Sequence, residues 1–266
     1  MAQSAESIHE WLAVVLLGII EGITEFLPIS STGHLLLAQQ WLDARGDVFN
    51  VVIQSGAVVA VLFIFKERST QIAKRWRDKD TQDYIFKMGT AFLITCAGGL
   101  VLQLTKFELP ETAEPVAISL IVGGVLFVVL EMWLKGQQLS ETITWPIAIA
   151  IGVGQLVAAV FPGASRSGTT IVIAMAMGLN RKMAVEFTFL LGVPTLLTAG
   201  LVKLLSAYKD GELQEDIGML ILGTVISAIV AFAAVKWLLN FLQKYTFIAF
   251  GWYRIILGAL VLMLVK

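Results

Sequence analysis

The chain has 266 residues, of which 57% are hydrophobic and only 15% are charged. Its mean hydropathy is +0.82, whereas soluble domains carry closer to ~25% charged residues, so the composition predicts an integral membrane protein. The net charge of −1 argues against a nucleic-acid partner, because nucleic acids are bound by basic surfaces. The single cysteine, Cys96, leaves no partner for a disulfide and excludes a cysteine-based metal site.

Six apolar runs each reach roughly 20 residues, the length that an α-helix needs to cross ~30 Å of hydrocarbon. We therefore predict an all-α, polytopic membrane protein that forms a single domain over residues 1–266. The six predicted spans are residues 48–66, 84–104, 115–134, 184–206, 216–239 and 248–265.

Two further apolar runs, residues 10–42 and 145–179, are interrupted near their middle. Pro28 and Pro162 each introduce a polar, glycine-containing turn, after which the apolar pattern resumes. Each half is too short to cross a bilayer alone, so each run is predicted to be a re-entrant helical hairpin. Non-helical backbone at that depth occurs only where it is buried in protein or lines a wet cavity. Both turns are therefore candidate functional segments.

The two interrupted runs resemble each other. An offset of 134 residues superimposes four pairs of residues: Gly18 and Gly152, Glu21 and Gln155, Pro28 and Pro162, Ser31 and Ser165. Because this offset is about half the chain, it predicts an internal duplication with repeats 1–138 and 144–266. Each repeat would hold one hairpin and three spans, and since three is odd, the two repeats would have opposite orientations in the membrane.

The loop charges predict the orientation. Residues 66–79 contain six Lys or Arg residues, and an excess of such residues marks cytoplasmic loops. Counting spans from this segment makes the acidic loops 105–114 and 207–216 external, together with both termini. The two hairpins would then enter from opposite sides, so that their turns meet inside the bilayer.

Two carboxylates precede the first turn. Glu21 and Glu25 are four residues apart and so share one helix face, one turn apart. A carboxylate within an apolar segment is costly and indicates a candidate functional site. The pair could bind a hard divalent cation such as Mg²⁺ or Ca²⁺, which takes oxygen ligands, or serve as a general acid and base. The structural alternative is a position near the external surface or a pairing with a buried cation.

The first turn places hydroxyls and an imidazole at the start of a half-helix. These side chains are Ser30, Ser31, Thr32 and His34. Because helix N-termini present free N–H groups, the turn is a candidate phosphate site. Either serine could be a nucleophile with His34 as its base, or His34 could attack directly. At least one serine is expected only to cap the helix that follows.

The second turn carries a positive charge between apolar runs. This charge is Arg166, and no acidic residue is near it in sequence. Arginine is the residue type that binds phosphate oxygens through two donors at once. Its neighbours Ser165, Ser167, Gly168 and Thr170 add hydroxyls and a second half-helix N-terminus. An ion pair with Glu21 or Glu25, or extension of Arg166 to the interface, remains the alternative.

Other polar residues in the apolar runs carry weaker predictions. Gln54 and Gln155 either line the cavity or form hydrogen bonds between helices. Glu131 and Arg254 are expected to reach the membrane interface from near helix ends. Tyr253 is expected to be an interfacial anchor.

Two motifs resemble those of a known family, the undecaprenyl-pyrophosphate phosphatases of the bacitracin-resistance type. The stretch Glu21-Gly-Ile-Thr-Glu25, followed by Phe-Leu-Pro-Ile-Ser-Ser-Thr-Gly-His34, is similar to the family's E-x-x-x-E region. The stretch Pro162-Gly-Ala-Ser-Arg-Ser-Gly-Thr-Thr170 is similar to its P-G-x-S-R-S-x-x-T motif. No motif position departs from the family pattern.

This resemblance implies a metal-dependent hydrolase that removes the terminal phosphate of undecaprenyl pyrophosphate and recycles the lipid carrier of cell-wall synthesis. Glu21 and Glu25 would be the acidic pair and the metal ligands, Ser31 and His34 the candidate nucleophile or base, and Arg166 the phosphate ligand. Ser30, Thr32, Ser165, Ser167, Gly168 and Thr170 would complete the phosphate site. The site would open to the external side of the bacterial inner membrane, among membrane lipids.

A transporter is the rival hypothesis. Inverted repeats with interrupted helices are the usual architecture of secondary transporters, and the same residues could bind a phosphate-bearing lipid and move it without cleaving it. Paired carboxylates beside a Ser/His turn favour catalysis, because a transporter of anions has little use for a nucleophile. The oligomeric state is left open, with a homodimer as one alternative.

Overall fold

The computed structural model describes residues 2–38, 41–42, 45–105, 107, 112–211 and 216–265. Secondary structure within these ranges is helical, apart from one isolated backbone bridge between Ser140 and Leu179. The helices are α1 (Ala2–Thr24), α2 (Ser31–Ala38), α3 (Asp47–Ile64), α4 (Lys66–Lys74), α5 (Lys79–Leu104), α6 (Ala113–Trp133), α7 (Trp145–Val160), α8 (Arg166–Ala176), α9 (Arg181–Lys209), α10 (Ile217–Leu242) and α11 (Ile248–Leu264).

The six predicted spans fall on α3, α5, α6, α9, α10 and α11, so the helical prediction for these runs is confirmed. In the described part of the chain, α5, α6, α9 and α10 are long and apolar enough to cross a membrane, and α3 joins them if its bent continuation α4 is counted with it. The chain is therefore a multi-pass helical membrane protein. The apolar helices α7 and α11 are shorter, with 16 and 17 residues.

The basic segment 66–79, predicted to be a loop, instead contains the helix α4. This helix turns away from α3 by 82° at Phe65. It carries four charged residues, three of them at its start and Lys74 at its end, and has no buried residue. Continuing along α3 would place these charges in hydrocarbon, where they are costly. Arg68 anchors α4 by donating to Glu186 of α9 at 2.7 Å.

Both interrupted runs break as predicted, α1 from α2 and α7 from α8. Each second half-helix begins after a serine with left-handed backbone, Ser30 at φ 70° and Ser165 at φ 68°. Each serine accepts a hydrogen bond from the backbone N–H three residues later, Gly33 at 3.4 Å and Gly168 at 3.2 Å. The counterpart of Ser165 is thus Ser30 and not Ser31, because the second turn is one residue longer after its proline.

The first halves of the two hairpins pack in equivalent ways. Helix α1 lies against α10, and α7 lies against α5. Both contacts are close because of glycines: a Cβ added to Gly18 would lie 2.9 Å from the carbonyl oxygen of Gly223, and one added to Gly152 would lie 2.8 Å from that of Ala91. Small residues commonly permit such close packing of membrane helices. Helix α3 packs on α9 and α6 on α11, which completes the bundle around the two turns.

Candidate active site

The two turns meet around a small polar cavity of about 180 Å³. Both turns contribute to its lining, so the two turns meet as predicted. The cavity is lined by Glu25, Ser30, Ser31, Thr32, Gln54, Ala158, Pro162, Gly163, Ser165, Arg166 and Leu196.

An ion pair joins the hairpins across this cavity. Nη2 of Arg166 donates to Oε1 of Glu25 at 2.8 Å, and both side chains are largely buried, 15% and 6% exposed. The hydroxyl of Ser31 donates to the other carboxylate oxygen of Glu25 at 3.2 Å. The ion pair given as the alternative for Arg166 is therefore present, and it places the guanidinium, the carboxylate and the hydroxyl within one hydrogen-bonded group.

Arg166 retains donor capacity beyond this pair. Its Nε and Nη1 are buried and have no hydrogen-bond partner among the described residues. Gly192 of α9 makes room for the guanidinium, since a Cβ there would lie 2.5 Å from Nη1. The guanidinium also lies 5.5 Å from the ring centre of Phe26. An arginine held with free donors beside a polar cavity is suited to bind phosphate oxygens.

Glu21 lies one helical turn before Glu25 and is fully buried. Neither of its carboxylate oxygens has a hydrogen-bond partner among the described residues. A buried carboxylate without a partner is costly, and a divalent cation would satisfy it. The described residues contain no cluster of three or more His, Cys, Asp or Glu side chains fit for a metal. The residues nonetheless suit Mg²⁺, which is commonly held by one or two carboxylates together with substrate phosphates.

The two serines of the first turn have different partners. Ser30 is 2% exposed and caps α2, which is the capping role expected of at least one serine. Ser31 lies at the first position of α2 and directs its hydroxyl to Glu25. Of the two hydroxyls, that of Ser31 therefore has a carboxylate in place to accept its proton.

His34 is held apart from the Glu25–Arg166 pair. Its Nδ1 lies 2.7 Å from the carbonyl oxygen of Ser30, which can only accept, so Nδ1 carries a hydrogen. Its Nε2 lies 2.7 Å from the hydroxyl of Tyr253, and the two rings stack at 5.6 Å. His34 is not among the residues that line the polar cavity. Tyr253, predicted to be only an interfacial anchor, is the residue that engages the histidine.

The predicted phosphate ligands of the second turn separate into two groups. Ser165 lines the cavity, and its hydroxyl lies 3.2 Å from that of Ser167. Ser167 and Thr170 are buried behind the turn. Ser167 donates to the carbonyl oxygen of Leu27 at 3.3 Å, and Thr170 donates to that of Arg166 at 2.8 Å. Ser167 therefore links the second turn to the first, whereas Thr170 bonds within the first turn of α8.

The two glutamines also differ. Gln54 lines the polar cavity. Gln155 does not, and of its two predicted alternatives the interhelical hydrogen bond is the one present: it is 3% exposed and donates to the hydroxyl of Thr95 on α5 at 2.8 Å. The close approach of α7 to α5 at Gly152 turns Gln155 into that interface, where an interhelical hydrogen bond satisfies its amide.

The expectations for Arg254 and Glu131 are wrong. Arg254 is fully buried and lies between the two turns, where it donates to backbone carbonyls of both. Glu131 is 2% exposed and pairs with Arg181 at the start of α9, while also accepting from the backbone N–H of Phe247 at 2.9 Å. Both residues are predicted at the membrane interface because they are near helix ends in the sequence. A single sequence does not reveal the distant partners that keep them buried.

A second, apolar cavity of about 440 Å³ lies between α6, α7 and α8. Ala164 of the second turn and Gly168 of α8 form part of its wall, as does Arg254. The remaining lining is predominantly aliphatic and aromatic: Ile118, Val122, Leu126, Phe127, Val157, Phe161, Val172 and Ile173, with Ser119, Gly123 and Thr169. Residues of the second turn thus line both the polar cavity and the apolar one.

Comparison of the sequence with known proteins shows the family to which the chain belongs. Residues 14–260 match the family described as "Bacitracin resistance protein BacA". A relative from Rhizobium etli strain CIAT 652 is 49% identical over 255 residues, covering 95% of this chain and 96% of that protein. A relative from Xylella fastidiosa strain 9a5c is 44% identical over 255 residues, covering 95% and 98%.

A third relative, from Xanthomonas oryzae pv. oryzae strain PXO99A, is 44% identical over 254 residues, covering 95% and 96%. All three relatives are named undecaprenyl-diphosphatase. The resemblance inferred from the two turn motifs is therefore confirmed over nearly the whole chain, including the helices that hold the turns. This chain belongs to the BacA family of bacitracin resistance proteins.

Proposed function

We propose that this protein is a membrane phosphatase that hydrolyses undecaprenyl pyrophosphate to undecaprenyl phosphate and inorganic phosphate. The lipid carrier of cell-wall synthesis is thereby recycled, and bacitracin resistance follows from the family. The relatives bear the name of this activity. The observation that carries the proposal is the group formed by Ser31, Glu25 and Arg166, in which a hydroxyl, a proton acceptor and a phosphate-binding cation share one small cavity.

Substrate binding would replace the internal ion pair at Arg166. The terminal phosphate competes with Glu25 for the guanidinium, whose free Nε and Nη1 supply further donors. The N-termini of α2 and α8 add backbone N–H groups. Glu21 and Glu25, the latter released from Arg166, would hold Mg²⁺ or Ca²⁺. The oxygen of Glu25 that accepts from Ser31 is not the one that accepts from Arg166, so Glu25 can serve as a cation ligand and still accept the Ser31 proton. The cation would neutralise charge on the transferring phosphoryl group.

Ser31 is the nucleophile that this geometry favours. As its oxygen bonds to the terminal phosphorus, its proton passes to Glu25 and the bond from that phosphorus to the bridging oxygen breaks, so undecaprenyl phosphate leaves. Water then hydrolyses the phosphoserine and releases inorganic phosphate. His34 is less suited to attack, since it lies outside the cavity and Tyr253 engages its Nε2.

The apolar cavity is suited to the isoprenoid part of the substrate. It adjoins the same turn that carries Arg166, and its wall is almost entirely hydrocarbon. A lipid pyrophosphate needs a polar site for its charged end and an apolar path for its tail. The second turn borders both.

The finer topology is also part of the proposal. We infer six spans and two re-entrant hairpins in inverted repeats, 1–138 and 144–266, with the site open to the external side of the bacterial inner membrane. The matching serine caps, the equivalent packing of α1 on α10 and α7 on α5, and the basic helix α4 support this arrangement.

The activity is tested by measuring phosphate release from a polyprenyl pyrophosphate by the purified protein, with and without EDTA. Wild type is expected to release phosphate only without EDTA, and Arg166→Ala and Glu21→Ala are expected to lose activity by at least about 100-fold. A wild-type protein that binds the lipid without cleaving it would contradict the proposal and favour the transporter hypothesis.

The nucleophile is tested by trapping ³²P from a terminally labelled substrate. Label is expected on the wild-type protein and on His34→Ala, and it should be absent from Ser31→Ala. Label on Ser31→Ala but not on His34→Ala would instead make the histidine the attacking group.

A further inference from the structure

Arg254 of α11 is a buried cation outside the predicted site. Its side chain is fully buried, and no carboxylate pairs with it in the described part of the chain. Its charge is instead met by backbone carbonyls, since the guanidinium donates to five of them at 2.9–3.4 Å: Pro28, Ser119, Leu120, Gly163 and Ala164. A buried charge is retained only where its donors are satisfied, and this guanidinium has an acceptor for each of its nitrogens.

These carbonyls belong to the two turns and to α6. Nη1 donates to Pro28 of the first turn at 3.2 Å. Nη2 donates to Gly163 at 3.2 Å and Ala164 at 2.9 Å, both in the second turn. Nε lies 3.4 Å from the carbonyl of Leu120 in α6. One rigid, planar group therefore connects the two turns to each other and to a spanning helix.

The carbonyls of the two turns lie just before the two serines that have left-handed backbone. Ser30 and Ser165 have the left-handed backbone that non-glycine residues rarely adopt, and such conformations persist where the surroundings over-determine them. Pro28 is two residues before Ser30, and Ala164 immediately precedes Ser165. Arg254 thus holds the segments that set both serine caps and, after them, the positions of Ser31 and Arg166.

Two glycines leave space for this guanidinium. A Cβ added to Gly168 of α8 would lie 2.8 Å from Nη1, and one added to Gly123 of α6 would overlap with Nη2. The site is therefore shaped for a planar, five-donor group. A lysine would keep the charge, but its single ammonium cannot reach carbonyls on three segments.

We propose that Arg254 is a positioning residue that fixes the distance between the two half-helix N-termini. In doing so it aligns a phosphate held at Arg166 with the hydroxyl of Ser31. The inference rests on the proposed phosphatase function. It assigns to Arg254 an effect on turnover that acts through the turns, without contact between Arg254 and the reacting atoms.

The test compares Arg254→Lys with Arg181→Lys, using purified, monodisperse protein and the phosphate-release assay. Arg181 offers a matched control, because it is also an interhelical arginine but pairs with Glu131, and neither residue belongs to a turn or lines the polar cavity. Arg254→Lys is expected to lower kcat by about 100-fold, the effect of a misplacement of roughly 1 Å, with KM unchanged. Arg181→Lys is expected to lower the thermal midpoint and leave kcat per folded molecule unchanged.

Gly123→Ala provides a second variant that keeps the arginine and displaces its guanidinium. It is expected to lower kcat in the same way as Arg254→Lys. Wild-type kcat in both variants, or an equal loss of kcat in Arg181→Lys, would overturn the positioning role. Absence of phosphate release from the wild-type protein would overturn the proposed function itself, so the two failures are distinguished by the wild-type measurement.

Discussion

At the residue scale, the proposed site contains an ion pair that a bound phosphate would have to open. Glu25 accepts a hydrogen bond from Arg166, whereas neither carboxylate oxygen of Glu21 has a hydrogen-bond partner among the described residues. The two carboxylates lie on one helix face, one turn apart, but under the proposed function only Glu25 would compete with phosphate for the guanidinium. Substitutions of Glu21 and Glu25 are therefore expected to differ in their effect on phosphate binding.

The first prediction compares Glu25→Gln with Glu21→Gln. Both are expected to lose phosphate release, because each removes a proposed cation ligand. In EDTA, Glu25→Gln is expected to bind inorganic pyrophosphate about 10-fold more tightly than wild type, because a charge-assisted hydrogen bond of ~1.5–3 kcal/mol no longer competes at Arg166. Titration calorimetry measures this affinity. Equal affinities in Glu25→Gln and Glu21→Gln would contradict the competition.

At the element scale, close packing of the helices next to the turns fixes the positions of the turns. Helix α7 approaches α5 at Gly152, and the side chain of Gln155 completes that contact through Thr95. Not every glycine in the bundle has this role: a Cβ added to Gly99 of α5 would meet no atom within 4 Å. Position in the packing, and not residue type, decides which glycine is required.

The second prediction compares Gly152→Ala with Gly99→Ala. Gly152→Ala is expected to lower the free energy of unfolding by about 1–3 kcal/mol through overpacking. Gly99→Ala is expected to raise it by about 0.4–1 kcal/mol, because alanine reduces the conformational freedom of the unfolded chain without a clash. Thermal unfolding in detergent measures both. Shifts of the same sign would show that the α5–α7 contact is looser than described.

At the scale of the whole molecule, the proposed inverted repeats make one site from two halves. The first half supplies the carboxylates and the hydroxyl of Ser31, and the second supplies Arg166. Arg254, from the last helix, joins the two turns. Neither hairpin therefore has a complete set of groups for phosphoryl transfer.

The third prediction concerns orientation. In a Cys96→Ser background, single cysteines are placed at Lys74 and Lys244, proposed to be cytoplasmic, and at Thr112 and Asp210, proposed to be external. A membrane-impermeant maleimide applied to the outer face of the inner membrane is expected to label Thr112→Cys and Asp210→Cys. The other two should react only after permeabilisation. Labelling of Thr112→Cys without Asp210→Cys would contradict the inverted arrangement.

The sequence by itself determined the class of protein, the helical runs, the two interruptions and the family. These features depend on local properties, namely apolar length, proline breaks and two uninterrupted motifs. The acidic loops 105–114 and 207–216 are predicted to be external. Residues 106, 108–111 and 212–215 of these loops lie outside the described residues. The dense basic cluster of residues 66–79 predicts a loop, whereas residues 66–74 form a helix, because charged residues exclude a membrane span but not a helix outside it.

Only the tertiary structure decided which polar residues meet. Gln155 bonds across a helix interface, His34 contacts Tyr253 outside the cavity, and Arg254 is buried between the two turns instead of reaching the membrane interface. Each of these outcomes depends on a partner that is distant in sequence, from 60 residues for Gln155 and Thr95 to 226 for Arg254 and Pro28. A buried charge far from any acid in sequence is satisfied here by backbone carbonyls, and carbonyls are present at every residue. The convergence of these carbonyls on Arg254 therefore follows from the packing of α6, α11 and the two turns. No pattern of side chains in the sequence predicts it.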